Sequence, residues 1–280
     1  MAIAAAGACA NGSKAVLSQQ AEAHKVSSHL HVQFSRADEA SNRAVMAETD
    51  DASSAAAAEA KQATDAAARD IDTLRAILND LGSSDDMRIL DAFASRFAQY
   101  RTLEADILPL AVENTNIKAQ RLSFGPAQDA VTSFRQSVEA AGRQAPRNQT
   151  AVVDALVARA VAAVLEIQVL EARHIAESDE GAMTRMETAM NSSAAGARKS
   201  LDSLAAQLPP PGDQPLADAT AALDRFMTAN TEIVALSRRN SNVRSLALSL
   251  GKKRTVSAEC QDLLQSLEDA LAAHHFSATR

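Results

Sequence analysis

The sequence is poor in the residues that build sheets, tight turns and cross-links. Its 280 residues include no tryptophan, one tyrosine, nine glycines and seven prolines. Strands favour aromatic and β-branched residues and need frequent turns, so this composition argues against a sheet protein. Hydrophobic residues make up 46% of the chain, and many are alanine, which favours helices but buries little surface. The composition predicts long helices that pack through many small contacts.

Several functional classes are disfavoured by what is missing. Cys9 and Cys260 are too few for a disulfide framework or a four-thiolate zinc site. The formal net charge is −7 without an arginine-rich run, which argues against a nucleic-acid partner. The sequence has no phosphate loop, no nucleophile elbow and no repeated Glu-x-x-His pair, so we predict no enzymatic activity, no metal and no cofactor. A run of about 18 apolar residues is also missing, so we predict no transmembrane helix.

The first 20 residues differ from the rest of the chain. A run of small, apolar residues leads to Cys9, and a polar Asn-Gly-Ser-Lys segment follows. This pattern is similar to the end of an export signal or a lipoprotein cleavage site. Two interpretations stay open. The first predicts a cell-envelope or periplasmic protein, anchored to the membrane upstream or at Cys9. The second, an ordinary terminal extension, is compatible with the cytoplasm.

One part of the chain occurs twice. ENTNIKAQRLSFG matches RRNSNVRSLALSLG at an offset of 126 residues. Further patches match in the same order: MAETDD with IAESDE at an offset of 129, DTLRAIL with DSLAAQL at 130, and Arg96-Phe97 with Arg225-Phe226 at 129. These matches predict the duplication of a unit of about 125 residues, which is too long for a solenoid repeat.

The repeated segment has the composition of a helix boundary. Asn, Ser and Thr favour helix caps because their short side chains bond free backbone amides. We therefore predict a structural role, where the third helix of each copy gives way to the fourth, for three pairs of positions: Asn114 and Asn240, Asn116 and Asn242, and Gly125 and Gly251.

Apolar residues within each copy recur at steps of three and four, which is typical of helix-bundle seams. Cys260 lies on such a seam and is predicted to be a packing residue. We predict an all-α protein of two tandem up-and-down antiparallel four-helix bundles. The predicted division is a tail over residues 1–20, a first bundle over 21–142, a linker over 143–150 and a second bundle over 151–276.

Segments of both copies resemble a known family. The second copy contains VLEIQVLEARHIAESDEGAM, ALDRFMTANTEIVALS and NVRSLALSLGKKRTVSAECQDLLQSLEDAL, and the first contains NIKAQRLSFGPAQDAVTSFRQSVEAA. In helix order, acidic bend and Leu-Ser-x-Gly start of the fourth helix, they resemble the four-helix-bundle sensor domain of bacterial methyl-accepting chemotaxis receptors. The resemblance covers nearly the whole chain after about residue 20. The chain departs from that family in having no flanking membrane helices and no methylated cytoplasmic hairpin.

The resemblance implies a non-catalytic sensory or ligand-binding module in chemotaxis or signal transduction, without its own output domain. It also implies a small-molecule ligand, a periplasmic location, and a homodimer or a receptor-type signalling partner. The alternative is a structural scaffold for protein–protein assembly. Polar groups that converge inside a bundle would favour ligand binding over a scaffold.

Polar residues before the acidic bends are the candidate ligand-binding positions. His174 continues an apolar seam and has Arg173 beside it, and the first copy has Asn42 and Arg43 at the corresponding place. A polar residue on a seam is usually a satisfied core residue. On that interpretation His174→Leu would be neutral or stabilising, whereas a pocket residue would be needed for a ligand response.

Overall fold

The computed structural model describes residues 5–208 and 213–278, and all regular structure within these ranges is helical. The prediction of an all-α protein is confirmed. The elements within these ranges are α1 (Ala5–Met46), α2 (Asp50–Leu81), α3 (Ser84–Glu113), α4 (Thr115–Leu122), a first π-helical turn (Ser123–Ala127), α5 (Gln128–Gly142), α6 (Thr150–Ala176), α7 (Glu180–Ala205), α8 (Asp213–Arg239), α9 (Ser241–Leu248), a second π-helical turn (Ser249–Lys253) and α10 (Arg254–Ala278).

The predicted tail belongs largely to a helix, because α1 already begins at Ala5. Residues 1–4 and the side chain of Cys9 lie outside the described residues, so the lipid anchor stays a prediction. Among the helices that the structure describes, none is long and apolar enough to cross a membrane.

The chain forms two compact units. Unit 1 consists of residues 1–113 and 244–280, and unit 2 consists of residues 114–243. Four long helices, α1, α2, α3 and α10, pack together in unit 1. In unit 2, α5, α6, α7 and α8 do the same, with α4 against α8.

This division differs from the predicted domains 21–142 and 151–276. Helices α4 and α5, expected to complete the first bundle, pack in unit 2, and α10 packs in unit 1. The copies have therefore exchanged their fourth helices. A single residue, Asn114 or Asn240, separates each third helix from the next. A helical hairpin needs about two to five loop residues, so one residue cannot turn the chain back against the helix it has just left. The predicted linker 143–150 corresponds to a loop between α5 and α6 inside unit 2.

The repeated asparagine segments cap each other rather than themselves. Asn114 and Asn240 both have left-handed backbones, with φ of 50° and 54°, a conformation that asparagine tolerates well. The Asn116 amide donates to Asn242 Oδ1 at 3.1 Å, and the Asn242 amide donates to Asn116 Oδ1 at 3.2 Å. Thr115 and Ser241 exchange a similar pair of bonds, each 3.0 Å long. The first turns of α4 and α9 are thus joined inside unit 2.

Burial shows which residues of the two copies correspond. Thr49 and Asp179, 130 residues apart, both cap the helix that follows, so the first two helices match at 130 rather than 129. At an offset of 130, His174 corresponds to Ala44 and Glu171 to Ser41. An offset of 129 would give Val45 and Asn42 instead.

The third helices match at an offset of 126 throughout, because their buried residues coincide only there. The match of Arg96-Phe97 with Arg225-Phe226 at an offset of 129 is therefore wrong, because it is out of register by three residues, about one helical turn. The buried pairs are Phe97 with Leu223, Tyr100 with Phe226, Glu104 with Asn230, and Ile107 with Ile233.

The two cores differ in composition. Unit 1 contains the rings of Phe34, Phe93, Phe97 and Tyr100, whose centroids lie 5.1–6.2 Å apart, and Cys260 is fully buried in the same core. Unit 2 is filled mainly by aliphatic residues and methionines. Aromatic pairs at such distances favour edge-to-face or offset contacts. Polar side chains buried in unit 1 therefore lie beside a closely packed cluster of aromatic rings.

Candidate functional site

The second π-helical turn, Ser249–Lys253, carries the candidate site of unit 1. A π-helical turn widens the helix locally and is frequent at functional sites. Gly251 lies in the middle of this turn with φ −89° and ψ −108°, outside helical values. Its two ends, Ser249 and Lys253, are both buried. Gly125 has the corresponding place in the first π-helical turn.

Lys253 is the centre of a polar cluster inside unit 1. Its side chain is only 1% exposed. The ammonium group lies 3.0 Å from Asp38 Oδ1 and donates a 2.9 Å hydrogen bond to Asn42 Oδ1. Ser249 donates to the same amide oxygen at 3.1 Å. The buried charge is therefore paired and hydrogen-bonded, as burial requires.

A second layer of polar groups lies behind Lys253. Its ammonium group is 5.7 Å from the centroid of the Tyr100 ring, within the range of a cation–π contact. Glu104 accepts hydrogen bonds from the Thr64 hydroxyl at 2.7 Å and from the Tyr100 hydroxyl at 3.4 Å. Burial raises the pKa of Glu104, and Thr64 and Lys253 oppose this effect. The cluster thus reaches from the core of unit 1 to its surface.

An open cleft of about 400 Å³ lies against this cluster, between α1 and α10. Its lining includes the Lys253 cluster and three further polar residues of α10, Arg254, Ser257 and Gln261. The side chains of these three residues form no hydrogen bond or ion pair with another described residue. Leu250, which is 63% exposed, adds an apolar wall. The cleft therefore offers unused donors beside a buried cation.

Unit 2 has the same cleft in reduced form. Gln128, Val131, Thr132 and Arg135, which correspond at an offset of 126 to Arg254, Ser257, Ala258 and Gln261, line a cavity of only about 60 Å³. Ala127 stands at the position of Lys253. The duplicated cleft thus lacks both the lysine and most of the volume.

Two of the predicted ligand-binding residues contribute nothing to the cleft of unit 1. Arg43 is exposed and forms an ion pair with Glu59 at 2.6 Å, and Arg173 is exposed in unit 2. Asn42 is in the cleft and binds Lys253.

His174 is fully buried in unit 2 and has two polar partners. One ring nitrogen contacts the Ser237 hydroxyl, and the other lies 2.9 Å from Glu187 Oε1. Arg238 forms a 2.6 Å ion pair with the same Glu187 and, with His174, lowers the pKa of that carboxyl. His174 is therefore a core residue whose polar atoms have partners, and it does not line the small cavity of unit 2.

The sequence interpretation did not select Asp38, Lys253, Arg254 or Ser257. One signal could have pointed to them. Lys253 lies three residues before Val256 on the seam that contains Cys260, and a lysine on an apolar seam needs a partner inside the bundle. Asp38 offers no comparable signal, because acidic residues are common along the exposed face of any long helix.

No family model matches the sequence, and the comparison with curated proteins found no match. Among solved structures, the chain is similar to the sensor domain of the histidine kinase sensor TorS from V. parahaemolyticus. The two share 13% sequence identity at a TM-score of 0.53, over 89% of this chain and 99% of that chain. At this identity the similarity shows a shared helical fold. It does not identify functional residues in this chain.

Proposed function

We propose that this chain is a non-catalytic sensory module that binds a small carboxylate in the α1–α10 cleft of unit 1. The observation that carries the proposal is Lys253, a nearly fully buried cation at the base of an open cleft. Removing a lysine from water costs several kcal/mol, and pairing it with Asp38 recovers only part of that cost. A scaffold gains more from an apolar residue, such as Ala127 at the same place in unit 2.

The charges of the lining favour an anionic ligand. Asp38 compensates Lys253, and Arg254 has no acidic partner among the described residues. The cleft therefore has one uncompensated positive charge. A guanidinium group binds a carboxylate through two parallel hydrogen bonds. The exposed side chain of Leu250 can cover an apolar part of the ligand, so we expect a monocarboxylate with a short chain or a ring.

The place of such a module in a cell is part of the proposal. The fold is similar to a sensor domain of a histidine kinase, and sequence segments resemble chemotaxis receptor sensors. We propose that the module lies in the cell envelope and acts in signal transduction, with chemotaxis as the finer assignment. We propose further that it acts as a homodimer or through a receptor-type signalling partner.

A ligand screen on the full chain tests the proposal. We expect hexanoate or benzoate to raise the melting temperature, and hexanamide and benzamide, which lack the charge, to leave it unchanged. Titration calorimetry then gives the dissociation constant. Arg254→Gln introduces the residue that unit 2 has at this position, Gln128. It should weaken binding by about tenfold or more, because one charge-assisted contact is lost.

Arg225→Gln is the matched control, since the Arg225 side chain is exposed on α8 and bonds to no other residue that the structure describes. It removes the same charge and should leave the dissociation constant unchanged. If both variants weakened ligand binding equally, the loss would come from the net charge of the protein and not from a contact in the cleft. If neither the acids nor the amides bind, the scaffold interpretation is favoured.

A further inference from the structure

Glu171 is a buried carboxyl of unit 2 that the proposed ligand site does not use. It is 0% exposed, and its Oε2 accepts a 3.0 Å hydrogen bond from the Ser123 hydroxyl. Its other oxygen, Oε1, is buried and has no hydrogen-bond partner. Ser123 is the first residue of the π-helical turn that joins α4 to α5. The carboxyl therefore connects α6 to the irregular turn of the helix packed beside it.

No cation among the residues that the structure describes is paired with this carboxyl. On its own helix, the neighbouring titratable group is His174, which is bonded to Ser237 and Glu187. Glu187 of α7 and Arg238 of α8 form an ion pair with each other.

Charged residues also occur on Glu171's own helix and on helices packed against it, among them Arg173 of α6, Lys118 and Arg121 of α4 and Asp129 of α5. None of them contributes to the pKa of Glu171. Burial raises that pKa to about 7, and the Ser123 hydrogen bond opposes the rise.

Unit 1 also contains a buried glutamate, but there a buried lysine lies close to it. Its π-helical turn ends in Lys253, and its buried Glu104 lies close enough to that lysine for the charge to lower the pKa. Unit 2 has Ala127 in place of the lysine and Asn230 in place of Glu104. Asn230 Oδ1 is also buried without a partner. Unit 2 thus has its buried acid at a different position, where unit 1 has Ser41, and has no lysine on its π-helical turn.

We propose that Glu171 is a proton-sensitive contact: protonated, it stays buried against Ser123 and holds the π-helical turn of unit 2, and ionised, it leaves the core and releases the turn. The protonated carboxyl is neutral and needs no counter-ion. The carboxylate has no paired counter-ion among the described residues, so turning toward water is the less costly arrangement.

The direction of the effect on stability follows from linkage. The pKa of Glu171 rises from its ordinary 4.5 to about 7 in the folded protein. The folded protein therefore holds this proton at pH values where the unfolded chain has lost it. Its contribution to stability is complete below about pH 4.5 and declines as the pH rises to about 7, with no further loss above that. The local release of the turn is centred at the upper end of this range.

Hydrogen–deuterium exchange of the full chain, followed by mass spectrometry, tests the proposal. Protection of the amides in residues 115–130, corrected for the intrinsic pH dependence of exchange, should fall about tenfold or more between pH 6 and pH 8. Peptides from α2 and α3 in unit 1 should keep their protection. In Glu171→Gln, a neutral isostere of the protonated acid, the 115–130 segment should be equally protected at both pH values.

Two further variants keep the test decisive. Glu104→Gln removes the other buried glutamate and should retain the pH response of the 115–130 segment. Ala127→Lys supplies the residue that unit 1 has, and should abolish the response by compensating the carboxylate, even if Glu171→Gln folds poorly. The proposal is overturned if the parent shows equal protection of this segment at pH 6 and pH 8. It is also overturned if Glu171→Gln or Ala127→Lys responds to pH as the parent does.

Discussion

Lys253 and Ala127 occupy the same position of two copies of one fold, and they give the two cores different chemistry. The lysine brings Asp38, Asn42 and Ser249 together. Unit 2 has alanine there, and its own buried acid, Glu171, has no charge partner among the described residues. The residue at this position of the π-helical turn is therefore one of the differences that separate a paired interior beside a cleft from an unpaired one.

His174 is the residue for which the structure reverses the expected effect of a mutation. From the sequence, His174→Leu would be neutral or stabilising in a core. The structure instead shows bonds to Ser237 and Glu187. Leucine would leave the Ser237 hydroxyl without this partner, so we expect a loss of about 1–2 kcal/mol in the free energy of unfolding. Urea denaturation measures it. A leucine variant at least as stable as the parent would show that these bonds contribute nothing net.

Cys260 is expected to be inert and to matter only for packing. It is 0% exposed, and burial raises the pKa of its thiol to about 12, so the reactive thiolate is scarce at neutral pH. Cys260→Ala should cost about 1 kcal/mol, and Cys260→Asp several, because a charge would enter the core. Urea denaturation gives both values. Rapid modification of Cys260 by a thiol reagent in the native protein at pH 8 would contradict this assignment.

The helices themselves could be predicted from the sequence, and their partners could not. Apolar steps of three and four locate the seams, and Asn, Gly and Pro mark the breaks. A seam looks the same whichever bundle it joins, so periodicity could not show that α5 belongs with α6 and α8. The π-helical turns were equally hidden, because Leu-Ser-x-Gly is compatible with an ordinary helix start. Lys253 is the last residue of the second of these turns and is buried.

The reciprocal caps between α4 and α9 are expected to stabilise unit 2 substantially. Asn116 donates 2.7 Å bonds to the Ile175 carbonyl and to Asn240 Oδ1, in addition to accepting from the Asn242 amide. Asn116→Ala should therefore cost about 2–3 kcal/mol, since buried partners are left unpaired. Asn191→Ala, at an exposed position of α7, should change stability by less than about 0.5 kcal/mol. Chemical denaturation of both variants decides. Similar losses would mean that the caps have no special weight.

The division of the whole chain into two units was predicted in number but not in membership. The predicted bundles 21–142 and 151–276 imply that a cut near Pro146, in the predicted linker, would separate two folded halves. In the structure, a fragment ending there keeps α4 and α5 without their partners α6 and α8. Unit 2 is instead one continuous segment. The duplication stays a prediction from the sequence pattern, and the one-residue junctions explain why that pattern does not coincide with the units.

Fragments test this division directly. Residues 114–243 expressed alone should unfold cooperatively with native-like helicity, because they contain all helices of unit 2. Residues 1–145 should lack cooperative unfolding, since they contain no complete set of four partners. Circular dichroism during thermal denaturation measures both. Cooperative unfolding of 1–145 as a monomer, with 114–243 disordered, would restore the sequential bundles.

The exchange of fourth helices also bears on how such a chain could arise. A gene that encoded a single copy would produce three helices followed, after one asparagine, by a fourth that cannot return to them. Two such polypeptides could complete each other only by trading that helix, each donating what the other lacks, in the manner of domain swapping. Fusing the two genes would turn this intermolecular trade into the covalent one seen here. The mutual bonds of Thr115 with Ser241 and of Asn116 with Asn242 would then descend from bonds between two separate ancestral chains.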